Sequence, residues 1–498
     1  MISNLGSRFA CIVALGAITL GCNSNGNHAN TVSASSDTGK LPITTKSEQA
    51  RAEFLQGRDL SERLLGQDSL AHFDKAIELD PEFALAEQAR ATNSPTPNEF
   101  FEHQKKAVAL ADKASEGERF FIAMNDAAAN GDVTTQKENL DKLVAAFPND
   151  ERVLFAMGNY YFGQQDYTHT IECDKKATEV APNYSPAYNI LGYSYKQTGD
   201  YANAEQALQK YVALIPNDPN PYDSYAELLL KEGKFEESVA QYRKALQIDS
   251  NFNPSRFGLS ADLTYMGKPS DAQFELEMMA RHARNDGELR TALFGLAVVA
   301  ADAGKFDEAE QSMDKEYAVA EKKNDAPSMA ADLQAKGNIA VAAQRYDVAK
   351  QHFDHSLQLI QSSSLSQKIK DNATLVHHFN MAVIALGKNN LTTAKAESEE
   401  FRKGAEAKNN ANQLRQAHEL AGRIALAQKD YDQAIAELQQ ANNQNPQNLY
   451  RLGEAYRAKG DASEAQSYFE HAASFNSLPQ LNYAFIRVKA QKTAAKKS

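Results

Sequence analysis

The chain runs to 498 residues, 42% of them hydrophobic and 24% charged, with a net charge of −12. This apolar content suffices for a packed interior, and the acidic balance argues against nucleic acid as a partner, because phosphates demand a basic surface. The length would hold several ordinary domains, but internal repeats change that reading, since a repeat array grows by units and not by separate cores.

Residues 1–21 read as a targeting segment. Arg8 supplies one positive charge, and the apolar run from Phe9 to Leu20 is too short for an ordinary transmembrane helix. The run closes in Thr19-Leu20-Gly21-Cys22, which resembles the lipobox of bacterial lipoproteins, with Thr19 where that motif usually has Leu. The resemblance implies a signal peptide cleaved before Cys22 and lipidation of Cys22. With Cys11 removed and Cys22 acylated, Cys173 has no intrachain disulfide partner. Asn23 and not Asp follows the cysteine, which by the same resemblance favours the outer membrane of a Gram-negative cell, facing the periplasm. A secreted or soluble periplasmic protein is the alternative. Residues 22–46, rich in Asn, Ser, Thr and Gly, carry little apolar surface and are expected to form a flexible tether.

From Ser47 onward the apolar pattern is helical, and no stretch alternates convincingly as a strand would. Residues 47–150 hold divergent helical repeats, the best of them marked by Gly57, Phe73, Ala76 and Pro81. Residues 151–289 are regular: Tyr167, Tyr201 and Phe235 lie 34 residues apart, each just after a turn signal. The copy from Ser185 to Asp218 carries Tyr188, Leu191, Gly192, Tyr195, Gly199, Tyr201, Ala204, Leu208 and Pro216. Residues 290–414 diverge again, with Phe306, Tyr346 and Leu391 in the aromatic place. Residues 415–478 return to the pattern with Gly422, Tyr431, Ala434, Gly453, Ala465 and Phe469. The last stretch, 479–498, predicts a helix capping the final apolar face and a basic tail of Arg487, Lys489, Lys492, Lys496 and Lys497.

An aromatic, then Leu-Gly, Tyr, Ala, a second aromatic and Pro at these offsets is similar to the tetratricopeptide (TPR) repeat. The resemblance implies an all-α solenoid, a superhelix of about eleven TPR-like helical hairpins plus a C-terminal capping helix. Mid-helix glycines such as Gly158, Gly192, Gly337, Gly422 and Gly453 cost about 1 kcal/mol of helix propensity each. They make sense where two helices touch backbone to backbone. Gly199, Gly233, Gly267, Gly304 and Gly460 fall at the hairpin turn, where a residue with positive φ ends the first helix.

No constellation for catalysis emerges. His352 and His355 straddle Phe353 and read as a solvated helix face, and His377 and His378 point about 100° apart on a helix. Cys173 sits among Glu172 and Asp174, which raise a thiol pKa and disfavour a nucleophile. There is no phosphate-binding glycine loop, nucleophile elbow or paired cysteine cluster. The expectation is therefore no enzyme, no catalytic residue, no metal, no cofactor and no small-molecule substrate.

In arrays of this kind the second, fifth, ninth, twelfth and thirteenth residues of a repeat usually face the inner groove. Carried onto this chain they select Arg152, Phe155, Asn159 and Phe162; Asn189, Tyr193 and Lys196; Asp223, Glu227 and Lys231; and Phe257, Thr264 and Tyr265. Aromatic and amide side chains together suit an extended peptide, with Tyr193 and Phe257 as anchors and Asn159 and Asn189 on the partner's backbone. The function implied is a non-catalytic protein- or peptide-binding scaffold, attached to the membrane through its lipid. A structural subunit of an envelope or secretion assembly is the alternative, and an unrecognised enzyme a distant third.

Overall fold

The computed structural model describes residues 39–496, and among these every regular element is helical. The chain divides into two units, one reaching Leu228 and the other beginning at Leu229. The N-terminal unit pairs α1 (Glu48–Glu62) with α2 (Gly66–Leu79), α3 (Ala84–Thr92) with α4 (Pro97–Ala109) and α5 (Glu116–Ala129) with α6 (Val133–Ala146). Two further pairs complete it, α7 (Glu151–Gly163) with α8 (Tyr167–Val180) and α9 (Ser185–Thr198) with α10 (Tyr201–Leu214). Helices α11 (Asn220–Lys231) and α12 (Phe235–Ile248) follow.

The C-terminal unit pairs α13 (Asn253–Tyr265) with α14 (Pro269–Arg281), α15 (Asp286–Asp302) with α16 (Phe306–Glu321) and α17 (Ala326–Ala342) with α18 (Tyr346–Ser362). It goes on with α19 (Gln367–Gly387) and α20 (Leu391–Lys408), α21 (Ala411–Gln428) and α22 (Tyr431–Gln440), and α23 (Pro446–Lys459) and α24 (Ala462–Ala473). The short α25 (Leu481–Ala484) and α26 (Arg487–Ala494) close it. Each pair packs on the next, so the stacked-hairpin solenoid expected from the repeats is the architecture of both units.

The same local chemistry builds each hairpin. At the turn one residue takes a positive φ, and the next N–H reaches the carbonyl five residues back: Asp166 to Tyr161, Asp200 to Tyr195, Arg345 to Ala340 and Asp430 to Ala425, at 2.7–2.9 Å. This satisfies the orphan carbonyls of the first helix. In three of these turns the residue that donates this bond is an Asp, whose carboxylate caps the second helix by accepting from His169, Asn203 or Gln433 N–H. The glycines expected at turns have the positive φ, but Gln165, Gln344, Asn389 and Lys429 adopt it as well.

The mid-helix glycines do a different job from the one expected. Gly57, Gly158, Gly192, Gly337, Gly422 and Gly453 each face a side chain sixteen residues on: Phe73, Asp174, Leu208, Phe353, Leu438 and Phe469. A Cβ at any of them would lie 2.3–3.0 Å from its nearest neighbour. Each glycine is thus a socket for one large side chain of the second helix. The alanines at Ala204, Ala349, Ala434 and Ala465 are buried beside that contact.

Both ends of the described chain depart from expectation. Residues 40–46, assigned to the tether, are held against the N-terminal unit without regular secondary structure. Leu41 N–H donates to Asp150 Oδ2 at 2.7 Å, Thr44 N–H to Glu118 Oε1 at 2.8 Å and Lys46 N–H to Asp80 Oδ2 at 3.0 Å. Leu41 and Ile43 are buried in the cluster around Phe54, Phe83, Phe121 and Leu143. Two buried apolar side chains and three backbone N–H bonds to acids pin this stretch. At the other end, α26 does pack on α24, as a cap would, with Ile486 and Ala490 in one cluster with Phe469 of α24 and Tyr450 of α23. Helix α25 turns away and packs on α15.

Candidate functional site

The clearest recognition geometry lies in the C-terminal unit, where residues 475–487 cross the helices α13 and α15. The Lys231 ammonium donates to the Phe475 carbonyl at 2.7 Å and sits 4.1 Å from the centre of the Phe475 ring. Tyr265 donates its hydroxyl to the Ser477 carbonyl at 2.6 Å. The Tyr265 ring meets Tyr483 edge-on at 5.5 Å, and Phe306 meets Phe485 at 6.4 Å. Leu481 and Ala484 enter a cluster formed by Phe294, Val298, Ala301 and Ile339. Arg487 makes a two-pronged pair with Asp302, its Nε at 2.7 Å, and lies 5.2 Å from the centre of the Tyr265 ring. Burial, with Tyr483 and Asp302 beside it, pushes the Tyr265 hydroxyl well above the ordinary tyrosine range, so it remains a donor.

Three nominated groove residues therefore touch this segment or its bed. Lys231 and Tyr265 grip its backbone, and Phe257 packs against the cluster that receives Leu481 and Ala484. Thr264 spends its hydroxyl on the Ser260 carbonyl of its own helix at 2.7 Å. Sequence reasoning missed Asp302, Phe475, Ser477, Tyr483 and Phe485, and it placed in a basic tail an Arg487 that is buried and paired with Asp302. The aromatic spacing of Tyr483 and Phe485 around Pro479 was the available signal, and it was absorbed into the reading of a terminal cap.

The nominated residues of the N-terminal unit are mostly spent on the chain itself. Arg152 is fully buried, paired with Glu151, 3.5 Å from Glu62 of α1 and 5.4 Å from the centre of the Tyr184 ring. Burial raises the Glu62 carboxyl, and the Arg152 and Arg58 guanidiniums pull it back down. Phe155 packs edge-on against Tyr184 at 5.6 Å, and Phe162 against Tyr167 at 5.4 Å. Tyr193 donates to Glu227 at 2.9 Å, and Lys196 lies 3.1 Å from Glu227 and 4.1 Å from the Tyr193 ring centre. Burial first, then Glu227 and the buried Asp223 nearby, drives the Tyr193 hydroxyl well above its usual range. Both amide atoms of Asn159 and the Asn189 carbonyl oxygen are enclosed with no hydrogen-bond partner among the described residues. Arg63 of α1 clamps Asp218 with two bonds of 2.6 Å. The end of α1 thus lies against the face that these residues were expected to offer a partner.

Among the described residues no group of three or more His, Cys, Asp or Glu could hold a metal ion. His377 accompanies Asp354 and His378 accompanies Glu397, each a local pair. Burial first, then Asp174 and Glu172, pushes the Cys173 thiol up to about 12, which leaves it unreactive at neutral pH. Cys22 and the segment before it lie outside the described residues.

The tetratricopeptide repeat family models match residues 185–218, 220–252 and 425–478, the three stretches where the sequence pattern is most regular. The chain carries tetratricopeptide repeats. Arrays of TPR hairpins generally act as protein-interaction scaffolds. Small glutamine-rich tetratricopeptide repeat-containing protein 2 of Mycosarcoma maydis is 26% identical over 130 residues, 25% of this chain and 37% of its own length. Protein bimA of Emericella nidulans is 28% identical over 103 residues, 20% of this chain and 12% of its own length. The TPR match therefore spans well under two thirds of either curated relative. Among solved structures, the APC/C hetero-tetramer Cut9–Hcn1 aligns with a TM-score of 0.42 at 15% identity, over 85% of this chain and 76% of that one. PilF of Pseudomonas aeruginosa aligns with a TM-score of 0.31 at 17% identity, over 44% of this chain and 90% of its own.

Proposed function

We propose that this TPR protein is a non-catalytic scaffold that binds a protein or peptide partner while anchored in the bacterial cell envelope by lipid on Cys22. One observation carries the binding half: side chains of successive first helices grip an irregular polypeptide segment by its carbonyls, at Lys231–Phe475 and Tyr265–Ser477. Backbone contacts plus pockets for aromatic side chains are how proteins read peptides in general. The anchoring half rests on Thr19-Leu20-Gly21-Cys22 and the short apolar run before it. More than one acyl chain on Cys22 would hold the protein firmly, since stable anchoring takes at least two membrane signals. Orientation toward the periplasm from the outer membrane follows from Asn23 by the same lipoprotein likeness.

Metabolic labelling with a fatty-acid analogue, followed by affinity capture from solubilised envelopes, tests both halves. Wild type is expected to carry label and Cys22→Ser none, with the variant released from the membrane fraction. Equal labelling of the two removes the anchor. Capture of nothing beyond what a folded, unrelated lipoprotein retains, by wild type and by a Tyr483→Ala, Arg487→Ala chain alike, removes the scaffold.

A further inference from the structure

We propose that the surface formed by Lys231, Tyr265, Phe294, Val298, Asp302 and Phe306 is a peptide-binding groove closed in cis by residues 475–487, and that its ligand in trans is a peptide of the same chemistry. That ligand presents two backbone carbonyls to Lys231 and Tyr265, aromatic side chains to Tyr265 and Phe306, and one arginine to Asp302. The inference rests on the scaffold reading and says where in the array binding occurs and what holds the site shut.

The occupant has the marks of a ligand more than of a repeat. Between α24 and α25 the chain has no regular secondary structure, and α25 is four residues long. Its contacts reach back 244 residues to Lys231, 212 to Tyr265 and 185 to Asp302, whereas each repeat otherwise packs on its neighbour. The grip is mixed in the manner of peptide recognition: carbonyls taken by an ammonium and a phenol, aromatic contacts at 5.5 and 6.4 Å, and one carboxylate–guanidinium pair. Helix α26 has its own seat on α24, with Gln466 donating to the Ala494 carbonyl at 2.9 Å, so the segment can leave the groove while the end of the chain stays attached. The groove side chains come from α11, α13, α15 and α16, of which α13, α15 and α16 stack through the ordinary hairpin contacts and do not depend on the segment for their backbone hydrogen bonds. A buried segment with this many contacts leaves no room for a second one, so the resting chain is closed to peptide.

The test keeps the full chain and loosens the segment from its own side with Tyr483→Ala and Arg487→Ala together. The probe is a fluorescent synthetic peptide with the sequence of residues 474–491, followed by anisotropy, while hydrogen exchange reports on 475–487. Wild type is expected to capture the peptide at least tenfold more weakly than the loosened chain. Adding Asp302→Ala to the loosened chain should abolish the gain, and a peptide with its arginine replaced by glutamine should lose most of it. The proposal is overturned if 475–487 exchanges freely in the loosened chain and no peptide is captured. It is equally overturned if α13 and α15 lose their protection together with the segment, because the segment is then core and not ligand. Envelope capture by wild type that is unchanged by the loosening or by Asp302→Ala removes this groove while leaving the scaffold reading intact.

Discussion

Asp174 stands where the other hairpins place Phe or Leu. It faces Gly158 across the α7–α8 pair, in the socket that Phe73, Leu208, Phe353, Leu438 and Phe469 fill elsewhere. Its carboxylate oxygens are buried with no hydrogen-bond partner among the described residues, and burial alone drives its pKa well above the usual carboxylate range. An acid that is protonated in the folded chain and ionised in the unfolded one stabilises only below its unfolded pKa. That contribution is lost as pH rises toward the folded value. Asp262 behaves in the same direction: burial pushes it up to about 8, against a bond from Ser238, so its loss runs from about pH 4 to about 8. Asp174→Leu should therefore raise stability at pH 7 by about 1–3 kcal/mol, the usual cost of an unpaired buried polar group. The unfolding midpoint of the variant, followed by circular dichroism from pH 4 to 8, should also fall less steeply than that of wild type. A midpoint equal to or below wild type at pH 7 would show that the socket is shaped for the carboxyl. The residue scale also revises the nominated anchors. Tyr193 and Asn159 are parts of the chain's own packing, so truncating them costs stability before it costs binding.

At the scale of the element, the hairpin is legible because its signals are local. Turn glycines, capping aspartates and the aromatic ladder act within a dozen residues, and each has a physical reason to sit where it does. The divergent copies keep the backbone and lose the signal: Gln165, Gln344, Asn389 and Lys429 take the positive φ that Gly199, Gly233, Gly267, Gly304 and Gly460 take elsewhere. A left-handed conformation costs a residue with a Cβ roughly 1 kcal/mol or more. Gln344→Gly and Lys429→Gly should thus each stabilise the chain by up to about 1 kcal/mol, less the entropy that glycine adds to the unfolded state. Equilibrium urea unfolding with unchanged slope is the measurement. A loss of stability in both variants would mean that the Gln344 and Lys429 side chains hold their turns by contacts stronger than the strain. The spacing also showed that glycine was needed inside the first helices. It did not show why, because the partner sixteen residues away is chosen by how the two helices cross.

At the scale of the whole chain, the terminal segments carry the lesson. Removing residues from Pro479 onward should strip Leu481, Tyr483, Phe485 and Arg487 from α13, α15 and α16 and also uncover α24. Hydrogen exchange is then expected to quicken roughly tenfold or more in 447–478, where α26 covered α24, while the backbone of α13 and α15 keeps its protection. Quickening of 257–302 as well would mark the segment as core and not as the occupant of a groove. The sequence by itself determined the all-helical class, the repeat unit, its turns and the aromatic ladder, because these are periodic and act between near neighbours. The tertiary structure decided which faces remain open. Residues 40–46 lie across three acids of the N-terminal unit, the end of α1 lies against Asp218 and Arg152, and residues 475–487 lie in the groove of the C-terminal unit. Those contacts join residues 34 to 244 positions apart. No repeat period encodes them, because each is made once, by a few apolar and charged groups that find a face left unpaired by stacking.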